Sequence, residues 1–169
     1  LFTCDPQIGE DATAVFNMLS GYSEPLGWNK LSLAPLWLRG KFLRLIQRET
    51  RNAKNGKPAR IIVKMNSLCD KEIIANLYEA SCAGVKIDMI VRGICCLKAG
   101  VPGLSENITV CSIIGNFLEH SRIFFFENSG DQKLFMGSAD WMPRNLDRRV
   151  EILFPVEDEK LKERLLHIL

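Results

Sequence analysis

The stretch ARIIVKMNSLCDKEIIANLYEASCAGVKIDMIVRG, residues 59–93, determines the fold class of this chain. Its two apolar runs, ARIIVKM and VKIDMIVRG, have the length and the β-branched content of buried strands. Between them, Asp70 can cap the start of a helix, and Gly84 can end it. Because two strands joined by a helix run parallel through a right-handed crossover, the stretch predicts a strand–helix–strand unit.

The flanking sequence extends this unit into a larger α/β domain. Upstream, Asp5-Pro6 begins a helix, KLSLAP is a short strand, and residues 36–56 form an amphipathic helix with Leu38, Phe42, Leu45 and Ile46 on its apolar face. Downstream, the runs ITVCSII, SRIFFFEN, KLFMGSAD and RVEILFPV predict strands, and residues 157–169 predict a closing helix. We predict a mixed, mostly parallel β-sheet flanked by helices, formed by residues 1–169 as a single domain.

The composition excludes some classes of function. The chain has 169 residues, of which 25% are charged, and its formal net charge is +2. So small a net charge does not indicate a nucleic-acid or membrane binder, and any recognition of anions must be local. No apolar run reaches the ~18 residues of a transmembrane helix, and no signal peptide opens the sequence, which favours a cytoplasmic location.

The cysteines and the chain ends support two further predictions. The six cysteines form no CxxC pair and no zinc-ligand spacing, so we expect reduced, mostly buried thiols. The sequence begins without methionine and stops inside a helical pattern. We therefore expect a domain excised from a larger protein.

Two cations follow the carboxyl ends of the predicted parallel strands. Lys64 lies in KMNS after the first strand, and Arg92 lies in VRG after the second. Ligands of α/β sheets tend to bind outside the carboxyl ends of such strands. Both cations are thus candidates for the wall of one crevice, although a surface cation that ends a strand would look the same.

A second polar group lies where the apolar run 123–126 begins. His120 and Arg122 are two positions apart, and side chains with this spacing share a face of a strand. The only other histidine of the chain is His167. The pair indicates either a hydrogen-bonded polar core or a site for an anion.

With its spacing, the same region contains His120, Arg122 and Glu127, followed by GSAD at residues 137–140. This pattern resembles the H-x-K-x4-D…G-S-x-N signature of the phospholipase D superfamily. Arginine stands for lysine, glutamate for aspartate and Asp140 for asparagine, and the separation of Glu127 from the glycine is longer than in the signature.

Longer strings resemble the last part of bacterial polyphosphate kinases: DPQIGED, GKPARIIVKMNSLCDKEIIANLYEASCAGVKIDMIVRGICCLKAGVPGLSENI, FLEHSRIFFFEN and SADWMPRNLDRRVE. The resemblance spans about Thr3 to Val156. It implies reversible transfer of the terminal phosphate of ATP to polyphosphate through a phosphohistidine. It also implies a catalytic half with two phospholipase D-like domains, of which this chain is the second. The phosphorylated histidine and the residues linked to Mg²⁺ are then expected in the preceding domain, so the fragment alone should be inactive.

The resemblance also implies partners and residue roles. We expect these partners: ATP, ADP, polyphosphate, the other domains of the same chain and further copies in a homo-oligomer.

His120 matches the family's second histidine, which binds ATP phosphates and assists transfer, and Arg92 matches its ATP-contacting arginine. An imidazole can donate to phosphate oxygens near neutral pH, and a guanidinium suits the charge of a loose transition state. Supporting residues are predicted from motif position alone: Arg122, Lys64, Ser138, Arg144 and Asn145.

Two other functions fit parts of the sequence. One is a phospholipase D-type phosphodiesterase that builds a two-histidine site by homodimerising, although the replacements at Arg122 and Glu127 count against it. The other is a non-catalytic module that binds polyanions through a basic stripe on the helix, which is otherwise a solvated face: Lys41, Arg44, Arg48 and Arg51. We interpret Trp141 as a core residue rather than a platform for a nucleobase.

Overall fold

The computed structural model describes residues 2–21 and 25–169. Its elements follow one another in this order: α1 (Pro6–Leu19), β1 (Ser32–Ala34), α2 (Leu38–Lys54), β2 (Arg60–Met65), α3 (Lys71–Cys82), β3 (Lys86–Val91), β4 (Ile108–Cys111), β5 (Ile123–Phe126), β6 (Lys133–Gly137), α4 (Pro143–Arg148), β7 (Glu151–Pro155) and α5 (Glu159–Leu166). Every predicted strand and helix is confirmed. The short helix α4 was not predicted, because six residues are too few to show a helical period.

The described strands form one seven-stranded sheet in the order β1-β7-β6-β5-β2-β3-β4. Only the pairs β2–β3 and β3–β4 are parallel, and the other four pairs are antiparallel. The prediction of a mixed sheet is confirmed, but the prediction that it is mostly parallel is wrong. The physical reason is that a turn over residues 127–132 reverses the chain between β5 and β6. So short a connection cannot form the crossover that parallel neighbours need.

The main core lies between the sheet and the helices α2 and α3. The predicted apolar face of α2 is buried there, and α3 contributes Ile73 and Leu77. Phe42 lies 4.7 Å from Phe124 and 5.3 Å from Trp141 between ring centroids. Trp141 is fully buried, which confirms its interpretation as a core residue.

A smaller apolar cluster lies on the opposite face of the sheet. It joins Ile123, Phe125 and Leu134 to side chains of α5 such as Leu165. Strand alternation therefore buries both faces of β5, which explains its uninterrupted apolar run.

Four strand ends meet at one edge of the sheet. The parallel register pairs Met65 with Val91, so the ends of β2 and β3 are level. The antiparallel registers pair Lys64 with Ile123 and Ile123 with Met136, so β5 begins and β6 ends at this same edge. The residues immediately beyond these four positions are consequently neighbours, although they are far apart in the sequence.

All six cysteines are free, as predicted, but the prediction that most are buried is wrong. Four of them are exposed and two are half-buried. They lie where the fold leaves side chains near the surface, for example Cys82 at the end of α3 and Cys111 at the end of the edge strand β4.

The helices of residues 2–21 and 25–169 include none with the length and apolar character needed to cross a membrane. The longest, α2, has 17 residues and carries charged side chains along its whole length.

Candidate active site

Arg92 is held by Asn66 at the edge where β2 and β3 end. Its Nε and Nη2 atoms donate to the Oδ1 atom of Asn66 at 3.0 and 2.7 Å. Asn66 directly follows β2, and Arg92 directly follows β3, so the parallel register brings them together. Because one edge of the guanidinium faces Asn66, its Nη1 atom is left for another acceptor.

Asp140 joins Asn66 to Arg122. Its Oδ1 atom accepts from the backbone N–H of Asn66 at 2.8 Å and from Nε of Arg122 at 2.9 Å. Its Oδ2 atom accepts from Nη2 of Arg122 at 3.3 Å and from Nδ2 of Asn66 at 3.4 Å. Asp140 is only 6% exposed, and a carboxylate this deeply buried requires partners of this kind. Asp140 thus connects the end of β6 to the end of β2 and the start of β5.

His120 lies at the exposed end of the same network. The Nη1 atom of Arg122 donates to the backbone oxygen of His120 at 3.1 Å and lies 3.3 Å from the Nδ1 atom of the imidazole. The two side chains are in contact, as the prediction that they point the same way implies, but both residues precede β5, so strand alternation is not the reason. Hydrogen bonds through Asn66, Asp140 and Arg122 therefore link the two principal predicted residues, Arg92 and His120.

Lys64 lies at the same edge, but its charge is paired. Its side chain is 5% exposed, and its Nζ atom donates to Oε2 of Glu119 at 2.6 Å. This hydrogen bond lowers the pKa of the Glu119 carboxyl. Lys64 therefore anchors the residue that precedes His120.

Ser138 and Asn145 support Asp140 from behind. The side-chain oxygen of Asn145 accepts from the backbone N–H of Asp140 at 3.2 Å, and its Nδ2 atom donates to Glu151 at 3.0 Å. The Ser138 hydroxyl donates to the other oxygen of Glu151 and accepts from the backbone N–H of Ile152 at 3.1 Å. The side chains of Ser138 and Asn145 are thus hydrogen-bonded to Asp140, Glu151 and Ile152, and they support the site rather than face a ligand.

Three other polar residues named from the sequence lie outside this network. Arg144 is exposed on α4. Glu127 lies at the opposite end of β5, about 13 Å away along a four-residue strand, beside Gln132. His167 caps the end of α5, with its Nδ1 atom 2.7 Å from the backbone oxygen of Glu163.

Sequence reasoning missed Asn66 and Glu119. The string KMNS was noted for its lysine, although the polar residue immediately beyond a parallel strand end is also well placed to face a ligand. Glu119 precedes His120 directly, and its partner Lys64 lies 55 positions away, so only its acidity next to a histidine was available as a signal.

The basic stripe on α2 is interrupted in the structure. Lys41 is half-buried, with its Nζ atom 5.6 Å from the ring centroid of Phe135. Its burial lowers its pKa, and so do Arg44 and Arg48. Arg48 is also half-buried, 3.7 Å from the carboxylate of the buried Glu49. Only Arg44 and Arg51 of the four are exposed, so the helix does not present a continuous cationic track.

The carboxylates at the sheet edge do not fit a magnesium site. Mg²⁺ takes oxygen ligands in near-octahedral geometry and binds through carboxylates that are available to it. Here Asp140 is paired with Arg122, and Glu119 is paired with Lys64. Across residues 2–21 and 25–169, no group of three or more His, Cys, Asp or Glu side chains is arranged to hold a metal ion.

The sequence matches a known family over most of its length. The family model described as "Polyphosphate kinase C-terminal domain 2" matches residues 31–169. A polyphosphate kinase of Thermosynechococcus vestitus is 55% identical over 98% of this chain and 23% of its own length. A polyphosphate kinase of Halalkalibacterium halodurans is 55% identical over 100% of this chain and 24% of its own length. The chain thus spans about a quarter of the length of the curated relatives it matches.

Solved structures agree with this match. The crystal structure of polyphosphate kinase from Porphyromonas gingivalis superposes with a TM-score of 0.93 at 43% identity, over 98% of this chain and 26% of that one. Nuc from Salmonella typhimurium, a phospholipase D family member, superposes with a TM-score of 0.58 at 16% identity over 82% of this chain and 88% of that one. The second likeness shows a phospholipase D-like fold alone. The chain therefore belongs to the polyphosphate kinase family and corresponds to a C-terminal domain of its members.

Proposed function

We propose that this chain is part of the catalytic half of a polyphosphate kinase that transfers the terminal phosphate of ATP reversibly to polyphosphate. The observation that carries the proposal is the hydrogen-bonded network that joins Arg92 to His120 at one sheet edge. Three cations and an imidazole gather there against two carboxylates: Arg92, Arg122, Lys64 and His120 against Asp140 and Glu119. Such an excess of donors suits the oxygens of a phosphate chain.

Arg92 acts on the γ-phosphate in this proposal. Phosphoryl transfer passes through a loose transition state whose charge spreads over the phosphate oxygens, and a fixed guanidinium stabilises that charge. Asn66 already holds two nitrogens of Arg92, so the guanidinium does not have to be ordered during the reaction. The remaining Nη1 atom is the donor for a phosphate oxygen.

His120 assists the same step from the exposed end of the network. As the bond between the γ-phosphorus and the oxygen of ADP breaks, a bond forms to the histidine of the preceding domain, and polyphosphate then takes the phosphate from that histidine. His120 donates a hydrogen bond or a proton to the leaving oxygen of ADP in the first of these transfers. The phosphorylated histidine and the ligands of Mg²⁺ belong to the part of the protein outside this chain, so the 169 residues alone should be inactive.

The test uses the full-length enzyme and two histidine variants. The full-length enzyme is given labelled ATP, Mg²⁺ and polyphosphate, and in parallel an aromatic phosphodiester. We expect phosphate transfer between ATP and polyphosphate in both directions and no cleavage of the diester. His120→Gln should lower kcat by at least about 10²-fold, the usual contribution of a positioned acid or base.

His167→Gln is the matched control, because this second histidine is at the far end of α5 and outside the network. It should keep the wild-type kcat. Diester cleavage without transfer to polyphosphate would instead favour the phosphodiesterase function. Wild-type kcat in His120→Gln, or stoichiometric labelling of His120 by ATP, would show that the assigned role of His120 is wrong.

A further inference from the structure

The contact between Arg122 and His120 restricts the tautomer of the imidazole. A guanidinium carries only N–H donors, so the contact of its Nη1 atom with Nδ1 of His120 at 3.3 Å is a hydrogen bond only when that ring nitrogen has a lone pair; the same Nη1 atom also donates to the backbone oxygen of His120 at 3.1 Å. In a neutral imidazole one ring nitrogen carries the proton and the other accepts. If Nδ1 accepts, the proton is on Nε2, and the ring presents an N–H donor at its other end.

A histidine that attacks an electrophile through Nε2 needs the opposite tautomer. Its Nδ1 atom carries the proton and donates it to a carboxylate or a carbonyl oxygen, which leaves the lone pair on Nε2. In this chain the group that faces Nδ1 is a cationic donor instead. The local chemistry therefore suits donation from His120 rather than attack by it.

Asp140 determines where Arg122 points. It accepts from Nε and Nη2 of the guanidinium, and both side chains of the pair are largely buried. Because the guanidinium is planar, fixing two of its nitrogens also fixes the direction of the third. That third nitrogen, Nη1, is the one that contacts His120.

The same carboxylate also orients Asn66. Asp140 accepts from the backbone N–H and the side-chain amide of Asn66, whose Oδ1 atom is then turned toward Arg92. An amide whose Nδ2 atom donates to one partner can offer only its oxygen to the guanidinium. One buried carboxylate thus supports both donors of the site.

We propose that Asp140 is a positioning residue that holds His120, through Arg122, as an Nε2–H donor and holds Arg92 through Asn66. The proposal rests on the proposed function, because it gives the two donors their use in phosphate transfer. It also explains the departure from the phospholipase D signature, in which lysine and asparagine occupy the positions of Arg122 and Asp140. A lysine presents all its donors from one nitrogen, whereas Arg122 contacts the two carboxylate oxygens and the imidazole through three separate nitrogens held in one plane.

The kinetic test compares three variants of the full-length enzyme. Asp140→Asn keeps the shape of the side chain and removes the charge, while Arg122→Lys keeps the charge and removes the third contact. Both should lower kcat about 10- to 100-fold, the usual loss when an outer partner of a functional group is removed, and change the KM for ATP less than about threefold. Arg122→Lys also serves as the second variant if Asp140→Asn does not fold.

Asp70→Asn is the matched control. Asp70 is 2% exposed, and its carboxylate accepts from Nε and Nη2 of Arg39 at 3.1 and 2.9 Å, so this is also a buried carboxylate paired with a guanidinium, although Arg39 is more exposed than Arg122. It supports α3 and does not contact His120 or Arg92. Asp70→Asn should lower the melting temperature and keep the wild-type kcat.

A spectroscopic test reads the tautomer directly. The full-length enzyme is labelled with ¹⁵N-histidine, the His120 signals are identified by their loss in His120→Gln, and multiple-bond ¹H–¹⁵N spectra distinguish the two neutral tautomers. We expect the Nε2–H tautomer in the wild type and a mixture in Asp140→Asn and Arg122→Lys. An Nδ1–H tautomer in the wild type would overturn the inference.

The outcomes also separate this inference from the proposed function. If His120→Gln keeps full activity, the proposed role of His120 is wrong. If His120→Gln is inactive while Asp140→Asn and Arg122→Lys keep the wild-type kcat and tautomer, only the positioning role of Asp140 is wrong.

Discussion

Replacing Arg92 by lysine in the full-length enzyme tests whether the site needs a guanidinium or only a positive charge. Arg92 donates through Nε and Nη2 to Asn66, and in the proposed function its Nη1 atom donates to a phosphate oxygen. A lysine ammonium is a single nitrogen on a flexible stem. Its three N–H donors share that one nitrogen, so a bond to the Oδ1 atom of Asn66 does not fix where the remaining donors point, and no second nitrogen is held toward a phosphate oxygen.

The size of the effect follows from this geometry. Arg92→Lys removes one positioned donor and leaves the charge nearby. Removing one such donor from a preorganised site costs on the order of 10²- to 10³-fold in kcat, which is about 2.7 to 4 kcal/mol. Because the charge remains, we expect the lower end, about 10²-fold. The KM for ATP should change less, since the lost interaction strengthens mainly in the transition state.

The assay measures initial rates over a range of ATP concentrations in both directions of transfer. Arg60→Lys is the matched control: Arg60 donates through Nε and Nη2 to Asp88 at 3.2 and 2.7 Å, at the opposite end of the same two strands. It should keep the wild-type kcat. Melting temperatures of both variants show whether any loss reflects unfolding.

Two results would refute this reasoning. If Arg92→Lys raises the KM for ATP and leaves kcat unchanged, Arg92 binds ground state and transition state equally. If Arg60→Lys loses as much kcat as Arg92→Lys, the loss reflects the pairing of β2 with β3 and not the site.

Two further predictions concern the stability of the 169-residue chain in urea. Gly137→Ala should lower the free energy of unfolding by about 1–3 kcal/mol, because the new Cβ would lie 2.7 Å from the backbone oxygen of Ile152. Gly115→Ala is the control and should change the stability little, because no atom lies within 4 Å of its new Cβ. Equal stabilities of the two variants would contradict the close approach of β6 to β7. Asp11 is 3% exposed, and although burial opposes its charge, hydrogen bonds from the backbone N–H groups of residues 29–31 lower its pKa. Because its pKa is lower in the folded than in the unfolded chain, the charged Asp11 stabilises the fold at pH values above the unfolded pKa of about 4, and this stabilisation is lost as the pH falls through the folded pKa. Asp11→Asn should therefore lower the free energy of unfolding by about 1–3 kcal/mol at pH 7 and by less below about pH 4. A difference in the free energy of unfolding between the wild type and Asp11→Asn that stays constant from neutral to acid pH would contradict this prediction.

Features that depend on near neighbours in the chain could be predicted from the sequence. The helix caps Asp5 and Asp70 bond to backbone N–H groups two or three residues ahead, so residue type and position were sufficient. The contact of His120 with Arg122 is also local, because the residues are two positions apart, although both precede β5 and lie outside the strand. Family membership was also within reach, because long strings carry far more information than single residues.

The direction of strand pairing could not be predicted in the same way. The order of elements along the chain places β5 after β4, but in the sheet β5 pairs with β2 and β6. Antiparallel pairing there depends on a reversal between β5 and β6 and on the burial of both faces of β5. Apolar run lengths show that a strand is buried but do not say which strand it pairs with.

The connections within the site were decided by the tertiary structure. Asp140 bonds to Asn66, 74 positions away, and to Arg122, 18 positions away, because three strand ends meet at one edge of the sheet. A lone Asn or Asp has many possible partners in a sequence, and its partner is chosen by the register of strands that are distant along the chain. Burial then requires the pairing: the Asp140 carboxylate is only 6% exposed, so it needs hydrogen-bond donors, and Arg122 and Asn66 are the donors within reach.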